Sequence, residues 1–180
     1  MKVAIHQPNF IPWMPFFNKI ESADVFVLLG NCQFEKGGFQ NRFRLSIGSE
    51  WHTMSIRGGL DNIINKRYSS HSKDWARIRK AFPRLEAFDD LVSDSLWNTN
   101  GAIIRRACGM LGIKTQIEVD WPTEANGGSR LVEICKRFGA KKYLSGSSGS
   151  KYMDLGIFKE NGIEVEFHRC EDKRSLAEVV

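Results

Sequence analysis

A chain of 180 residues, 42% of them hydrophobic, is long enough for one well-filled core and too short for two independent domains. Its net charge of +5 is modest but uneven, because residues 42–84 carry Arg42, Arg44, Arg57, Lys66, Arg67, Lys73, Arg77, Arg79, Lys80 and Arg84 against few acids. That balance favours an anionic small-molecule ligand over a cationic one. Four cysteines, Cys32, Cys108, Cys135 and Cys170, lie far apart, with no CxxC and no histidine at zinc-ligand spacing, which argues against a metal site and against a disulfide framework. No apolar run approaches the ~20 residues that span a bilayer, and no leader pattern precedes the first strand, so a cytoplasmic protein is expected.

Lys2 to His6 reads as a short strand, and two prolines, Pro8 and Pro12, force the stiff loop HQPNFIPW behind it, since each lacks a backbone donor and fixes its own φ. Residues 15–21 place Phe16, Phe17 and Ile20 on one helix face. DVFVLL, residues 24–29, is too uniformly apolar for a half-exposed strand and belongs beside the first in a parallel sheet. From Phe39 the pattern alternates strictly, predicting a hairpin over about 42–56 with its turn at Gly48-Ser49 and a second run from Glu50 to Ile56. Residues 73–97 read as a helix broken near Pro83, with Leu85, Phe88, Val92 and Leu96 at helix spacing, and 101–112 as another with Ile103, Ile104, Ala107 and Leu111 buried. The rest alternates: a strand at 116–119, a helix capped by Ser129 and closed by Gly139, a strand at 142–144, a helix at 154–160 and a last strand at 163–167. The expected fold is α/β: a central, mostly parallel sheet flanked by helices, with the hairpin and a helical segment at about 73–112, in one domain spanning 1–180.

Three segments hold polar groups that a fold alone does not demand. His6, Gln7 and Asn9 sit in the rigid loop after the first strand. CQFEKGGFQNRFR, residues 32–44, has two glycines that allow close backbone approach, with Gln33, Lys36, Gln40, Asn41, Arg42 and Arg44 around them. Arg42 and Arg44, two apart on a strand, project the same way at about 7 Å spacing and can share one phosphate or carboxylate. In YLSGSSGSKYMD, residues 143–154, a strand enters a Ser/Gly loop and then a helix, and exposed N–H groups at such junctions attract anions. It is neither a Walker A loop nor GxGxxG.

The pattern HQPNFIPW…FF.KI..AD.FV…QF.K.GFQNR.R over residues 6–44, followed by LVEICKRFGAKKYLSGSSGSKYMD…F.ENGIEVEF over 131–167, resembles the WbqC-like family along nearly the entire chain. The resemblance implies a role in surface-polysaccharide (O-antigen, lipopolysaccharide) synthesis, on an activated sugar. It carries over to Gln7, Pro8, Pro12, Asn41, Arg42 and Arg44, and to Gly146, Gly149 and Tyr152. Relatives can carry Met at the position of His6. The layout is also similar to nucleotidyltransferase-type enzymes such as pantothenate synthetase, although Gln7-Pro8-Asn9 replaces the second histidine of their HxGH motif.

Together these readings predict a transferase or ATP-dependent ligase that moves an acyl or aminoacyl group onto the amine of a nucleotide-linked sugar. His6, Gln7 and Asn41 are the expected catalytic residues. Asn9, Gln33, Lys36, Arg42, Arg44, Ser145, Gly146, Ser147, Ser148, Gly149 and Tyr152 are expected to bind substrate, with no metal ligand assigned. ATP, acyl-CoA or an aminoacyl donor would supply the group. Nucleic acid is expected only as an aminoacyl-tRNA, since Trp75 and Phe82 among the basic residues sit at helical spacing and suit a core. The alternative is an accessory protein that binds a nucleotide sugar or a partner without catalysis.

Overall fold

A computed structural model of the chain describes residues 1–147, 149 and 153–180. Its centre is a five-stranded, fully parallel sheet built from β1 (Lys2–His6), β2 (Val25–Leu28), β5 (Gln116–Val119), β6 (Lys142–Ser145) and β7 (Glu164–Phe167), in the order β5-β2-β1-β6-β7. The apolar runs that predicted central strands occupy the centre: β1 pairs with β2 from Val3↔Val25 to His6↔Leu28, and all four residues of β2 are buried. Alternate side chains feed two cores, as a strand period of two requires. Val3, Ile5, Val25, Val27 and Tyr143 pack with Val132, Ile134 and Cys135 of α4 (Gly127–Arg137) and Phe158 of α5 (Leu155–Glu160). Ala4, Phe26, Leu28 and Leu144 pack on the other face with Phe16, Phe17 and Ile20 of α1 (Met14–Glu21) and Ile103, Ile104 and Ala107 of α3 (Leu96–Met110).

The chain lays strands outward from β1 through β2 to β5, then returns to the other side of β1 for β6 and β7. Connections therefore diverge between β1 and β6, and at the carboxyl ends of those two strands such sheets leave a crevice.

Four expectations need correction. The hairpin pairs over two residues a side only, β3 (Arg42–Phe43) with β4 (His52–Thr53), because the next carbonyl, that of Arg44, accepts from the Trp13 indole at 2.7 Å. The 73–97 helix is α2 (His71–Ala81) followed by a 3-10 segment, Pro83–Leu91. Pro83 brings no donor, and Leu85 and Phe88, three apart, lie on one face of the tighter helix, both fully buried. The next helix begins not at Gly101 but at Leu96, capped by Ser95, whose hydroxyl accepts from the Asn98 amide at 3.2 Å. The polar run Asn98-Thr99-Asn100 disguised this turn. α4 starts after Asn126, three residues ahead of Ser129. A short helix not expected from the sequence, α6 (Leu176–Val179), has a capping box between Ser175 and Glu178. Trp75 is buried in the core, as its spacing implied.

A clamp on Asp120 ties the carboxyl edge of the sheet together. Asp120, just past β5, accepts from the Gly30 and Asn31 amides at 2.8 and 3.1 Å and pairs with Arg130 at 2.9 Å, so the buried carboxylate is fully satisfied. Gly30 is required here, since a Cβ would overlap the Trp97 ring.

Candidate functional site

The stiff loop after β1 runs over this edge. Ile11 is held at φ 44°, a conformation that β-branched residues avoid, and its side chain is fully buried. The surroundings that impose this are explicit. Asn100 of α3, itself fully buried, donates to the carbonyls of Pro8 at 2.8 Å and Gln40 at 2.7 Å and accepts from the Tyr68 hydroxyl at 3.1 Å. The Phe10 amide donates to Phe39 at 2.9 Å. From the other side the C-terminal segment holds the loop, with Leu176 donating to Pro12 at 2.9 Å and Met14 to Arg174 at 2.8 Å.

Between the ends of β1 and β6 lies a cavity of about 610 Å³, bounded by His6, Gln7, Asn9, Lys19, Glu35, Gln40, Gly146, Ser147 and His168, with Phe10, Phe16 and Phe43 as apolar wall. The parallel sheet explains the gathering: His6 ends β1, Gly146 follows β6, and His168 follows β7, its amide extending the ladder to Ser145 at 2.8 Å. One sheet edge collects them all.

Each group has a defined environment. His6 Nδ1 lies 2.9 Å from the Gln7 carbonyl, which can only accept. Nδ1 therefore carries the proton and Nε2 keeps a lone pair. Burial first, then the charge of Lys19, pushes His6 down to about 4 against the partial lift of that backbone bond, so the ring is neutral at pH 7. Lys19, on the buried stripe of α1 and 3% exposed, donates from Nζ to the Ile5 carbonyl at 2.9 Å, and burial lowers it to about 7. His168 Nε2 is 2.7 Å from Asn18 Oδ1, and burial, then Lys19 and Lys173, lower its pKa. Gln7 Nε2 donates to Cys32 Sγ at 3.4 Å, and its Oε1 accepts from Gln40 Nε2. Gln40, 4% exposed, leaves its own Oε1 buried without a partner among the described residues. The Cys32 thiol is pushed up by burial, which argues against a thiolate nucleophile.

Of the expected site residues, His6, Gln7, Asn9, Gly146 and Ser147 line the cavity. Ser145, the last residue of β6, is not on the lining but buried, its hydroxyl donating to the Gly146 carbonyl at 3.2 Å. Gly149 donates to that same carbonyl at 3.0 Å, so close to Ser145 that a Cβ would overlap its hydroxyl. Ser148 and Tyr152 lie outside the described residues. Others are placed elsewhere. Asn41 donates to the Met54 carbonyl at 2.8 Å and so braces β3 against β4 instead of facing the cavity. The guanidinium groups of Arg42 and Arg44 do share a direction, but they meet on the Trp51 ring, 4.0 and 4.6 Å from its centre, and Arg42 also donates to the Gly37 and Gly38 carbonyls. Gln33 and Lys36 are exposed outside the cavity lining. Lys19, Glu35, Gln40 and His168 also line the cavity, although none is among the site residues expected from the sequence. Among the described residues no group of three or more His, Cys, Asp or Glu side chains could hold a metal ion. No helix there is long and apolar enough to cross a membrane.

Comparison with known proteins gives a relative in Mycobacterium tuberculosis (strain ATCC 25618 / H37Rv), the uncharacterized protein Rv1507c, 30% identical over 186 residues that span 91% of this chain and 80% of that one. No solved structure matches significantly. The WbqC-like protein family matches residues 7–175, a span that takes in the proline-rich loop, Gln40, the Ser/Gly-rich sequence after β6 and His168. The match starts one residue after His6 and covers the other cavity-lining residues, and the chain belongs to the WbqC-like protein family.

Proposed function

We propose that this protein is a cytoplasmic enzyme of surface-polysaccharide synthesis that transfers an acyl or aminoacyl group to the amine of a nucleotide-linked sugar, in the cavity between β1 and β6. The observation that carries the reading is the convergence of His6, Gln7, Gln40 and His168 on the crevice where the sheet's connections diverge, the place at which open α/β sheets take ligands. The sugar amine attacks the donor carbonyl carbon. A C–N bond forms, the bond from that carbon to the leaving thiolate, phosphate or ribose oxygen breaks, and the amine proton passes by way of His6 Nε2 to the leaving group. His6 suits this relay because its other nitrogen is committed to Gln7 and its ring is neutral. Gln7 and Gln40 Oε1, which has no partner among the described residues, orient the polar sugar. Positioning supplies most of the rate, with no covalent intermediate.

The low proton affinity of His6 also fits an accessory protein that binds the same ligand without turnover. One assay separates the two. Protein is incubated with a UDP- or dTDP-amino sugar and, in turn, an acyl-CoA, ATP with amino acids, or aminoacyl-tRNA, and the sugar product is weighed by mass spectrometry. The enzyme reading expects a mass gain of one acyl group with one donor class, cut about 100-fold in His6→Ala. Binding with no mass change for any donor leaves the accessory reading, and no binding overturns both.

A further inference from the structure

The hairpin arginines, expected to hold the ligand's negative charge, both stack on Trp51 outside the cavity lining, and Arg42 also donates to backbone carbonyls. The cavity nonetheless has a cation of its own. Lys19 reaches it from α1, nearly excluded from solvent, and among the described residues no carboxylate lies within ion-pair distance of Nζ. Among the described residues its one hydrogen bond, to the Ile5 carbonyl, uses one of three donors. Buried ammonium groups are paired as a rule, because an unpaired one is costly.

We infer that Lys19 is the seat of the ligand's anionic group, a carboxylate or phosphate whose oxygens take the two remaining Nζ donors. The inference rests on the cavity being a ligand site, as proposed above, but not on the sugar or on the transfer. The neighbouring titratable groups agree with it. His6 from β1 and His168 from beyond β7 are both shifted toward the neutral form, so neither competes with Lys19 for the anion's charge. Lys173, on the C-terminal segment, is felt by His168 and adds positive potential. Among the described residues Glu35 is the one carboxylate on the lining, exposed and unpaired with Lys19. Burial holds Lys19 at about 7, and an oxyanion against Nζ would draw the proton back.

The test is a pH titration of lysine ε-CH₂ resonances in protein labelled with ¹³C-lysine, run alone, with sulfate and with acetate, two anions that do not titrate between pH 6 and 10. The Lys19 signal is assigned by its loss in Lys19→Met, which removes a buried charge and should fold. The expected result is a midpoint raised by at least about one pH unit by sulfate or acetate, with anion affinity about ten- to a hundredfold weaker in Lys19→Met and retained in Lys19→Arg. The anion that moves the midpoint further identifies the group as phosphate-like or carboxylate. A midpoint that neither anion moves, or equal binding by Lys19→Met, overturns the inference. If sulfate engages Lys19 but no transfer is found, the anion seat stands and the enzyme reading falls. If transfer proceeds in Lys19→Met with unchanged KM for the nucleotide sugar, the reverse holds.

Discussion

Asn100→Ala is expected to lower the unfolding free energy by about 3–5 kcal/mol, a large part of what a chain of this size has to lose. Its three hydrogen bonds join α3 to both sides of the cavity, through the Pro8 and Gln40 carbonyls, and to the buried Tyr68 hydroxyl. Truncation leaves two buried acceptors and a donor without partners, each costing about 1–3 kcal/mol less whatever water can enter and satisfy them. Asn100→Asp should fare no better, since a carboxylate would face two carbonyl oxygens. Urea unfolding with an unchanged m-value measures the loss. Hydrogen exchange at the Phe10 amide, which is bonded to Phe39 beside the same clamp, should accelerate more than exchange in β1 and β2. A loss under about 1 kcal/mol would mean that the strained turn at Ile11 is held by the C-terminal segment alone.

Lys19→Met is expected to be more stable than the parent at pH 7, by an amount that shrinks as pH rises. The sign follows from proton linkage. Lys19 has its folded pKa near 7 against an ordinary 10.5, so between those values the unfolded chain binds the extra proton. Parent stability therefore gains up to about 1.4 kcal/mol per pH unit from this group as pH rises above 7, and loses it as pH falls back through 7. The methionine variant has no such dependence. His6 acts in a separate window: its depressed pKa contributes stability that is complete above about 6.5 and is lost as pH falls through about 4. Burial raises Cys108 and Cys135 to about 11 and 12, but both proteins share these thiols, so their effect cancels in the difference. Urea unfolding of both proteins at pH 7, 8 and 9 gives that difference directly. A gap independent of pH would show that Lys19 keeps its proton in the folded state.

Much of this arrangement was legible in the residues. Strands β1 and β2 announced a parallel sheet by their unbroken apolar runs, and Pro8 and Pro12 announced the rigid loop that presents His6 and Gln7. Lys19 could have been read as well. It lies three residues after Phe16 and beside Ile20, so a lysine interrupts the buried stripe of an eight-residue helix. His168 was reachable only by topology: in an all-parallel sheet every residue that follows a strand reaches the same edge, but periodicity does not reveal that β6 and β7 lie beside β1 while β5 lies beyond β2. Arg42 and Arg44 show the opposite case. Their spacing correctly put them on one side, yet a ligand and an indole compete for the same guanidinium faces, and no pattern in sequence said that Trp51 from the returning strand would stand there. Asn100 was hidden because a buried amide and a solvated one look alike until its partners, as far away as Pro8, are known.

That the crevice between β1 and β6 is where this protein meets its ligand is the claim on which the rest depends. It is tested most directly by titrating ¹⁵N-labelled protein with a UDP-amino sugar and following backbone amide shifts. The account predicts saturable changes concentrated at Gln7, Asn9, Gln40, Gly146 and His168, with Trp51 and Arg44 little affected. Changes centred on Trp51 and Arg44, or no saturable change at the sheet edge, would contradict it.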